Sequence, residues 1–236
     1  MNSVNAAEPT PPAQIARRLM RLARTAAMAT LAPETGAPLT TLVGIASDED
    51  GAPLLLLSSL AAHSKNLAAD PRASILIGAP AVRGDPLNVA RVTLNGRLEP
   101  AQTPRRRERY LQRNPKSKLM MGLRDFQIFR LEISGVHYNG GFGLAGPMTR
   151  DDFLLAGDFS GLVAGEADLL AEAQRQSAAL ARALGVSATG APPRVIGLDA
   201  AGLDLTARGK PSRIDWPELA LTPEAWRAQL AALRRG

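Results

Sequence analysis

Apolar residues at Ile15, Leu19 and Leu22 recur with the i, i+4, i+7 spacing of a single helical face. Residues 13–24 are therefore expected to form an amphipathic helix, with Arg17, Arg18, Arg21 and Arg24 turned to water. Six strand-like runs follow, at 25–31, 39–47, 53–58, 73–79, 89–99 and 126–138. Pro33-Glu34-Thr35-Gly36 and Asp48-Glu49-Asp50-Gly51 supply turns between the first three. Within 89–99, Val92, Leu94 and Leu98 share one face, opposite Arg91, Thr93, Asn95 and Arg97. Phe129, Leu131 and Ile133 likewise oppose Arg130, Glu132 and Ser134. Such half-polar strands predict an antiparallel sheet with one face in a core and the other against water or a ligand. Two short helices interrupt the strands. One covers 64–70 and is stopped by Pro71; the other opens at Thr103-Pro104, a cap followed by proline, and ends before Asn114-Pro115. Strands with short helical interruptions favour a closed or nearly closed barrel over a doubly wound sheet.

The pattern changes after about residue 158. A helix is expected over 164–184, with Leu169, Leu170, Ala173, Leu180 and Leu184 as its apolar stripe. A hairpin follows, 194–198 and 203–207 around Asp199-Ala200-Ala201-Gly202, then a short strand at Arg213–Trp216. Thr222-Pro223 opens a last helix with Trp226, Leu230 and Leu233 on one face. The chain thus divides into a polar, proline-rich tail at 1–12, a barrel domain at 13–157 and a small α+β unit at 158–236. The fold class is mainly β with an α+β appendage. A unit of under about 80 residues is marginal alone and is expected to dock on the barrel or on a partner subunit.

Composition narrows the chemistry. With 236 residues, 45% of them hydrophobic, the chain can bury real cores. It has no cysteine, which excludes disulfides, thiolate zinc, a cysteine nucleophile and cysteine-held iron–sulfur clusters. Two histidines, His63 and His137, are too few for a three-histidine zinc site, and nothing points to a resident metal. A net charge of +6, with 24 Arg against 4 Lys, fits a solvated basic surface or an anionic partner. Aromatics make up 4% of the chain and no nucleic-acid motif is present, so nucleic acid is not the expected partner. The longest apolar run, Pro53–Leu57, is far short of the about 20 residues that cross a bilayer. The N-terminus lacks the pattern of a signal peptide. The expectation is a cytoplasmic protein without a membrane span. Arg105-Arg106-Arg107-Glu108-Arg109 reads as a solvated helix face with local pairing to Glu108. Asp48-Glu49-Asp50 and Asp151-Asp152 read as turn carboxylates without a facing partner.

The stretch richest in chemistry is Ser58-Ser59-Leu60-Ala61-Ala62-His63-Ser64-Lys65-Asn66-Leu67, at the end of an apolar strand and the opening of a short helix. Hydroxyls, an imidazole, an ammonium and free helix N–H groups converge there, as a phosphate dianion requires. The alternative is that Ser64 caps the helix and Lys65 points to solvent.

That run continues into Ala68-Ala69-Asp70-Pro71-Arg72-Ala73-Ser74. Asp85-Pro86-Leu87, Arg91-Val92-Thr93-Leu94-Asn95-Gly96 and Asn139-Gly140-Gly141-Phe142-Gly143-Leu144-Ala145 follow in order. Together they resemble the FMN-binding split barrel of the pyridoxamine 5′-phosphate oxidase-related superfamily, over about residues 13–157. The nearest likeness is to its haem-utilisation branch, where a small α+β domain is commonly appended. The resemblance implies a homodimer with two FMN sites at the subunit interface, and an FMN-dependent oxidoreductase acting on a small molecule. Ser58, Ser59, His63, Ser64, Lys65 and Asn66 would line the phosphate and ribityl end, with Arg91 a further anion partner. Strand backbone near Thr30 and Val43 would approach the isoalloxazine. There are departures. Thr40-Thr41-Leu42-Val43 stands where true pyridoxamine phosphate oxidases carry a basic residue, and the phosphate clamp is reduced to His63 and Lys65 around Ala61-Ala62. No substrate-phosphate Arg/His pair is visible, so vitamin B6 oxidation is not expected.

The same branch raises an alternative: a haem-binding or haem-degrading protein, or a non-enzymatic flavin or haem carrier. Haem iron commonly takes a histidine ligand. The corresponding appended helix reads Ala171-Glu172-Ala173-Gln174-Arg175-Gln176-Ser177, and no histidine follows His137. That leaves His137 or His63, with His137 expected as a packed histidine and Tyr138 a weaker candidate. Asn139-Gly140-Gly141-Phe142-Gly143 lacks dinucleotide-fingerprint spacing. It is either a tight turn or a point of close approach to the flavin or the partner.

Overall fold

Helix α1 (Pro12–Leu22) leads into seven strands that share one antiparallel sheet. They are β1 (Thr25–Leu31), β2 (Pro38–Ser47), β3 (Pro53–Ser58), β4 (Arg72–Gly78), β5 (Arg91–Pro100), β6 (Phe126–Asn139) and β7 (Ala145–Met148). The computed structural model describes residues 11–79, 85–141, 145–186 and 191–233. Most of the tail, and Phe142-Gly143-Leu144 of the glycine-rich run, lie outside the described residues. Strand order is β3-β2-β1-β4-β5-β6-β7, and β3 pairs back onto β6, so six strands close into a barrel and β7 extends it. Closure is uneven. β2 pairs with β3 only through Ile45–Ser47, whereas Leu54–Ser58 of β3 pair with β6. The first half of β2 therefore parts from β3 and splits the barrel wall.

The period-2 alternation sets the interior. Met28, Ile45, Leu55, Ile75, Leu94 and Leu131 are fully buried, with Ala16 and Met20 of α1 packed on the same core. Between β5 and β6 the register slips by one residue at Gly96, leaving Ser134 as the extra residue of a bulge. A Cβ on Gly96 would stand 2.1 Å from the carbonyl oxygen of Glu132.

Helix α2 (Ala62–Ala69) lies between β3 and β4; α3 (Pro104–Arg113) and α4 (Lys118–Met121) lie between β5 and β6; α5 (Arg150–Phe153) follows β7. Thr103 caps α3, its hydroxyl accepting from the Arg106 amide at 3.2 Å. The C-terminal unit holds α6 (Ser160–Arg175), α7 (Ser177–Ala183), the meander β8 (Arg194–Asp199), β9 (Gly202–Ala207) and β10 (Lys210–Asp215), and α8 (Pro223–Ala232). The single helix expected over 164–184 is two helices, broken at Gln176. Trp216 and Trp226 meet edge to face in the core of this unit, centroids 5.6 Å apart. Among the described residues no helix is long and apolar enough to cross a membrane.

The two units meet over buried arginines, and here three expectations are corrected. Arg21 does not face water: it is 2% exposed, its Nε is 2.9 Å from Asp199 and its Nη1 donates to Ser47 Oγ at 3.0 Å. Hydropathy periodicity sends every arginine of a helix outward, but this flank of α1 faces carboxylates of the C-terminal meander. The arginines of α3 are not a solvated face either. Arg106 pairs with Asp48 at 2.8 Å, Arg105 with Glu49 at 2.9 Å and Glu166 at 3.2 Å, and Arg109 with Glu166. Nor do the turn carboxylates lack partners. Arg130 reaches both Asp48 (3.0 Å) and Asp50 (2.7 Å), and Asp152 closes a capping box with Thr149. Burial alone would raise the Asp48 carboxyl; a hydrogen bond with Glu49 and the charges of Arg106, Arg109 and Arg130 override it and hold it far below the carboxylate range.

Candidate functional site

Ser58 ends β3 opposite Phe126. Its hydroxyl donates to Asp125 Oδ2 at 2.6 Å and accepts from the Leu60 amide at 3.2 Å, while the Ser59 amide donates to the Asp125 carbonyl at 2.8 Å. These bonds turn the chain sharply into α2. The helix begins at Ala62 with Ala61 in the capping position, so Ser64 is not its cap. Ser64 Oγ is instead buried and has no hydrogen-bond partner.

A cleft of about 660 Å³ opens here between α2, the ends of β3 and β5, and the segment entering β6. Ser59, Ser64, Lys65 and Arg124 line its polar side together with the carboxylates of Glu99 and Asp125 and the amides of Gln102 and Gln127; Leu57, Leu67, Leu98, Phe126 and Phe129 line its apolar side. Lys65 and Arg124 are exposed and without a carboxylate partner among the described residues. Arg124 escaped the sequence reading. It lies far from Lys65 in the chain and reaches the cleft only because β6 runs antiparallel to β3 in this register.

The structure separates the remaining candidates. Asn66 is buried, its Nδ2 donating to Thr30 Oγ1 at 3.0 Å inside the barrel end. His63 Nδ1 lies 3.2 Å from Thr41 Oγ1, bridging α2 to the splayed half of β2, and partial burial holds its imidazole below the ordinary value. Both residues pin α2 to the first two strands and neither lines the cleft. Val43, like Thr30, is buried within the barrel wall. Arg91 begins β5, while the cleft touches its far end at Leu98, seven residues or about 23 Å along the strand. Its guanidinium donates to the carbonyls of Leu87 (2.8 Å) and Val89 (3.3 Å).

His137 is not the packed histidine expected. Strand alternation buries Tyr138 and leaves His137 exposed on the outer face of the sheet, opposite Thr93 and Pro147. At the end of β6, Gly141 passes close to neighbouring backbone. Gly141 has φ +106°, and a Cβ there would stand 2.9 Å from the Asn88 carbonyl oxygen.

A closed six-stranded antiparallel barrel, split between its second and third strands and mounted with a short helix beside the gap, defines the pyridoxamine 5′-phosphate oxidase-like split-barrel class. Within that class the family described as CREG, beta-barrel matches residues 8–154, and the chain belongs to this family. Over 130 residues the chain is 35% identical to the chloroplastic non-canonical heme oxygenase HOZ of Arabidopsis thaliana, a match covering 53% of this chain and 36% of that protein. The chain thus spans about a third of the length of that curated relative. Among solved structures, the Agrobacterium tumefaciens protein Atu2129, of unknown function, superposes with a TM-score of 0.80 at 30% identity, covering 98% of this chain and 100% of that one. A heme binding protein from Mycobacterium smegmatis superposes with a TM-score of 0.59 at 30% identity, covering 98% of each chain. The split-barrel fold and its haem-utilisation kinship, read from the sequence, agree with these findings.

Proposed function

We propose that this protein is a homodimeric flavoprotein that holds FMN by its phosphate in the Lys65 cleft and oxidises or reduces a small molecule. The observation that carries this reading is Ser64 Oγ, buried without a partner among the described residues in a cleft that two cations, Lys65 and Arg124, also line, neither paired with a carboxylate of the described residues. A phosphate ester supplies the acceptors and the negative charge that such a group of donors lacks. Phe126, Phe129 and Leu98 offer an apolar wall to the rest of the ligand. When bound, FMN supplies the electron-carrying ring. Lys65 and Arg124 then fix its anionic end, Ser59 and Ser64 orient it by hydrogen bonds, and His63 and Asn66 keep α2 in place. Arg91 joins such a site only from a second copy, because it lies at the opposite end of β5 in its own chain. The outer sheet face supports a second copy: Leu42, Ala27, Leu76 and Thr93 form an uncharged row across four strands. The test is to add FMN to the purified protein and record the visible spectrum and the melting temperature. Binding at 100 times Kd stabilises by about 2.7 kcal/mol. A flavin spectrum that stays with the protein through gel filtration, together with a raised melting temperature, supports the reading; neither effect at millimolar FMN overturns it.

A second reading, haem binding, is favoured by the names of two relatives, a heme oxygenase and a heme binding protein. No histidine lines the Lys65 cleft, so this reading calls for a different site. Titration with haemin separates the two readings, since a Soret band that sharpens and shifts on binding has no counterpart with FMN.

A further inference from the structure

We propose that a second cavity, at the seam between the barrel and the C-terminal unit, binds a small free α-amino acid by its carboxylate and its ammonium group. This cavity has a volume of about 220 Å³ and shares no lining residue with the Lys65 cleft. Gln14 and Arg17 of α1 line it from the barrel side; Trp216 and Leu219, in the segment between β10 and α8, line it from the other. Sites for drug-sized ligands run to about 300–1,000 Å³, so this one admits a molecule of a few heavy atoms and neither FMN nor haem.

The walls leave groups of both signs unmatched. Most of their charge is paired internally: Asp199 with Arg21 and Arg213, each at 2.9 Å, and Asp215 with Arg18 and Arg213. Arg17 is the exception. Its Nη1 donates to the Asp152 carbonyl at 2.6 Å, and no carboxylate of the described residues pairs with it. Burial pushes its guanidinium below the ordinary value, the like charge of Arg213 adds to this, and Asp199 and the other nearby carboxylates do not offset it. Beside it in the lining, Trp216 is buried and its indole N–H finds no acceptor among the described residues. A carboxylate answers both groups, accepting from the indole and neutralising the guanidinium. The acidic side is unmatched as well. Glu218 is exposed and pairs with no cation of the described residues, and Asp199 Oδ2 has the charge of Arg21 beside it but no aligned hydrogen bond. An ammonium donates to such oxygens. A plain anion would meet these carboxylates as well as Arg17, and a plain amine would meet the arginines, so a ligand carrying both charges on adjacent atoms suits the site better than either. Leu155 and Leu219 offer apolar surface to a small side chain.

The experiment titrates the full chain with glycine, L-alanine, L-valine and L-leucine, following tryptophan fluorescence and melting temperature. Isovalerate, which is L-valine without its ammonium, isobutylamine, which is L-valine without its carboxylate, and inorganic phosphate serve as comparisons. Trp216 lines the cavity, so occupancy changes its emission; an occupant also touches both units, so the melting temperature rises. The expected result is a saturable response to at least one of the amino acids, at least tenfold weaker with isovalerate, isobutylamine and phosphate. Arg17→Gln weakens amino-acid binding at least tenfold. Trp216→Phe, followed by melting temperature, weakens it too, with circular dichroism showing that both variants keep the wild-type fold. No saturable response to any of the four amino acids at millimolar concentration overturns the proposal. So does isovalerate or phosphate binding as tightly as the amino acid, which would make the cavity a plain anion site, and so does amino-acid affinity unchanged in both variants. Because the wild-type comparison of L-valine with its two truncated analogues needs no variant, the proposal stays open to refutation even if a substitution unfolds the protein. None of these outcomes bears on FMN in the Lys65 cleft, which is lined by other residues.

Discussion

Replacing Arg109 by methionine should loosen the C-terminal unit from the barrel. Arg109 is 5% exposed and joins three elements. Its Nε donates to the Ser47 carbonyl and its Nη2 to the Leu198 carbonyl, both at 2.7 Å, and its Nη1 pairs with Glu166. Ser47 ends β2, Leu198 lies in β8 and Glu166 in α6, so this side chain ties the barrel to the appendage. Breaking a buried ion pair from one side costs about 3–5 kcal/mol, because the partner charge stays buried. Glu166 keeps Arg105 at 3.2 Å, which offsets part of that loss; two orphaned carbonyls add about 1–3 kcal/mol each where water cannot reach them. The expected destabilisation is about 4 kcal/mol, or a fall in Tm of about 8–16 °C for a chain of this size. Both tryptophans, Trp216 and Trp226, belong to the C-terminal unit, so fluorescence reports that unit while circular dichroism reports the whole chain. In urea, wild type should show coincident transitions, and Arg109→Met a fluorescence midpoint that precedes the circular dichroism midpoint. Glu166→Gln in a double-mutant cycle should show coupling of more than about 1 kcal/mol. Loss of less than about 1 kcal/mol, with the transitions still coincident, refutes the tethering role.

Two further outcomes follow from the same packing. Burial opposes ionisation of Asp199, but Arg21 and Arg213 hold its carboxyl at about 2, against an ordinary value of 3.8. Because the folded value is the lower one, its contribution is full above about pH 4 and lost as pH falls through about 2, a change of about 2 kcal/mol. Thermal melts from pH 5 to pH 2 should therefore fall less steeply in Asp199→Asn than in wild type, and parallel slopes would contradict the assignment. Gly96→Ala places a methyl against the Glu132 carbonyl oxygen and the Ile133 backbone at the bulge. Since backbone must move, destabilisation of about 3 kcal/mol is expected in urea unfolding, and a wild-type midpoint would show that the bulge relaxes freely.

Strands were legible in the sequence because each carries its own period. The six expected runs match β1 to β6 to within a residue or two at most ends, and Thr103-Pro104 and Thr222-Pro223 mark the starts of α3 and α8 through local cap chemistry. What stayed hidden depends on pairing across distance. Arg21 and Arg109 look like solvent residues until Asp199 and Glu166 are brought to them from the C-terminal unit. The short strand β7 and helices α4 and α5 are too brief to show a period. The same distinction divides the site. Ser59, Ser64 and Lys65 fall within one seven-residue stretch and are visible as a group, whereas Arg124 joins them through strand register alone. The face on which His63 or Asn66 would fall could not be read from an eight-residue helix of weak amphipathicity; their partners Thr41 and Thr30 decide it.

The most direct test of the Lys65 cleft as an anion grip is a fluorescence titration with FMN and with riboflavin, which lacks the phosphate. A charge-assisted hydrogen bond contributes about 1.5–3 kcal/mol, so Lys65→Ala should weaken FMN binding at least about tenfold, and Lys65→Ala with Arg124→Ala more still. Riboflavin should bind weakly and equally to all three proteins. FMN affinity unchanged by the double substitution, in protein with the wild-type circular dichroism spectrum, would contradict the proposed site.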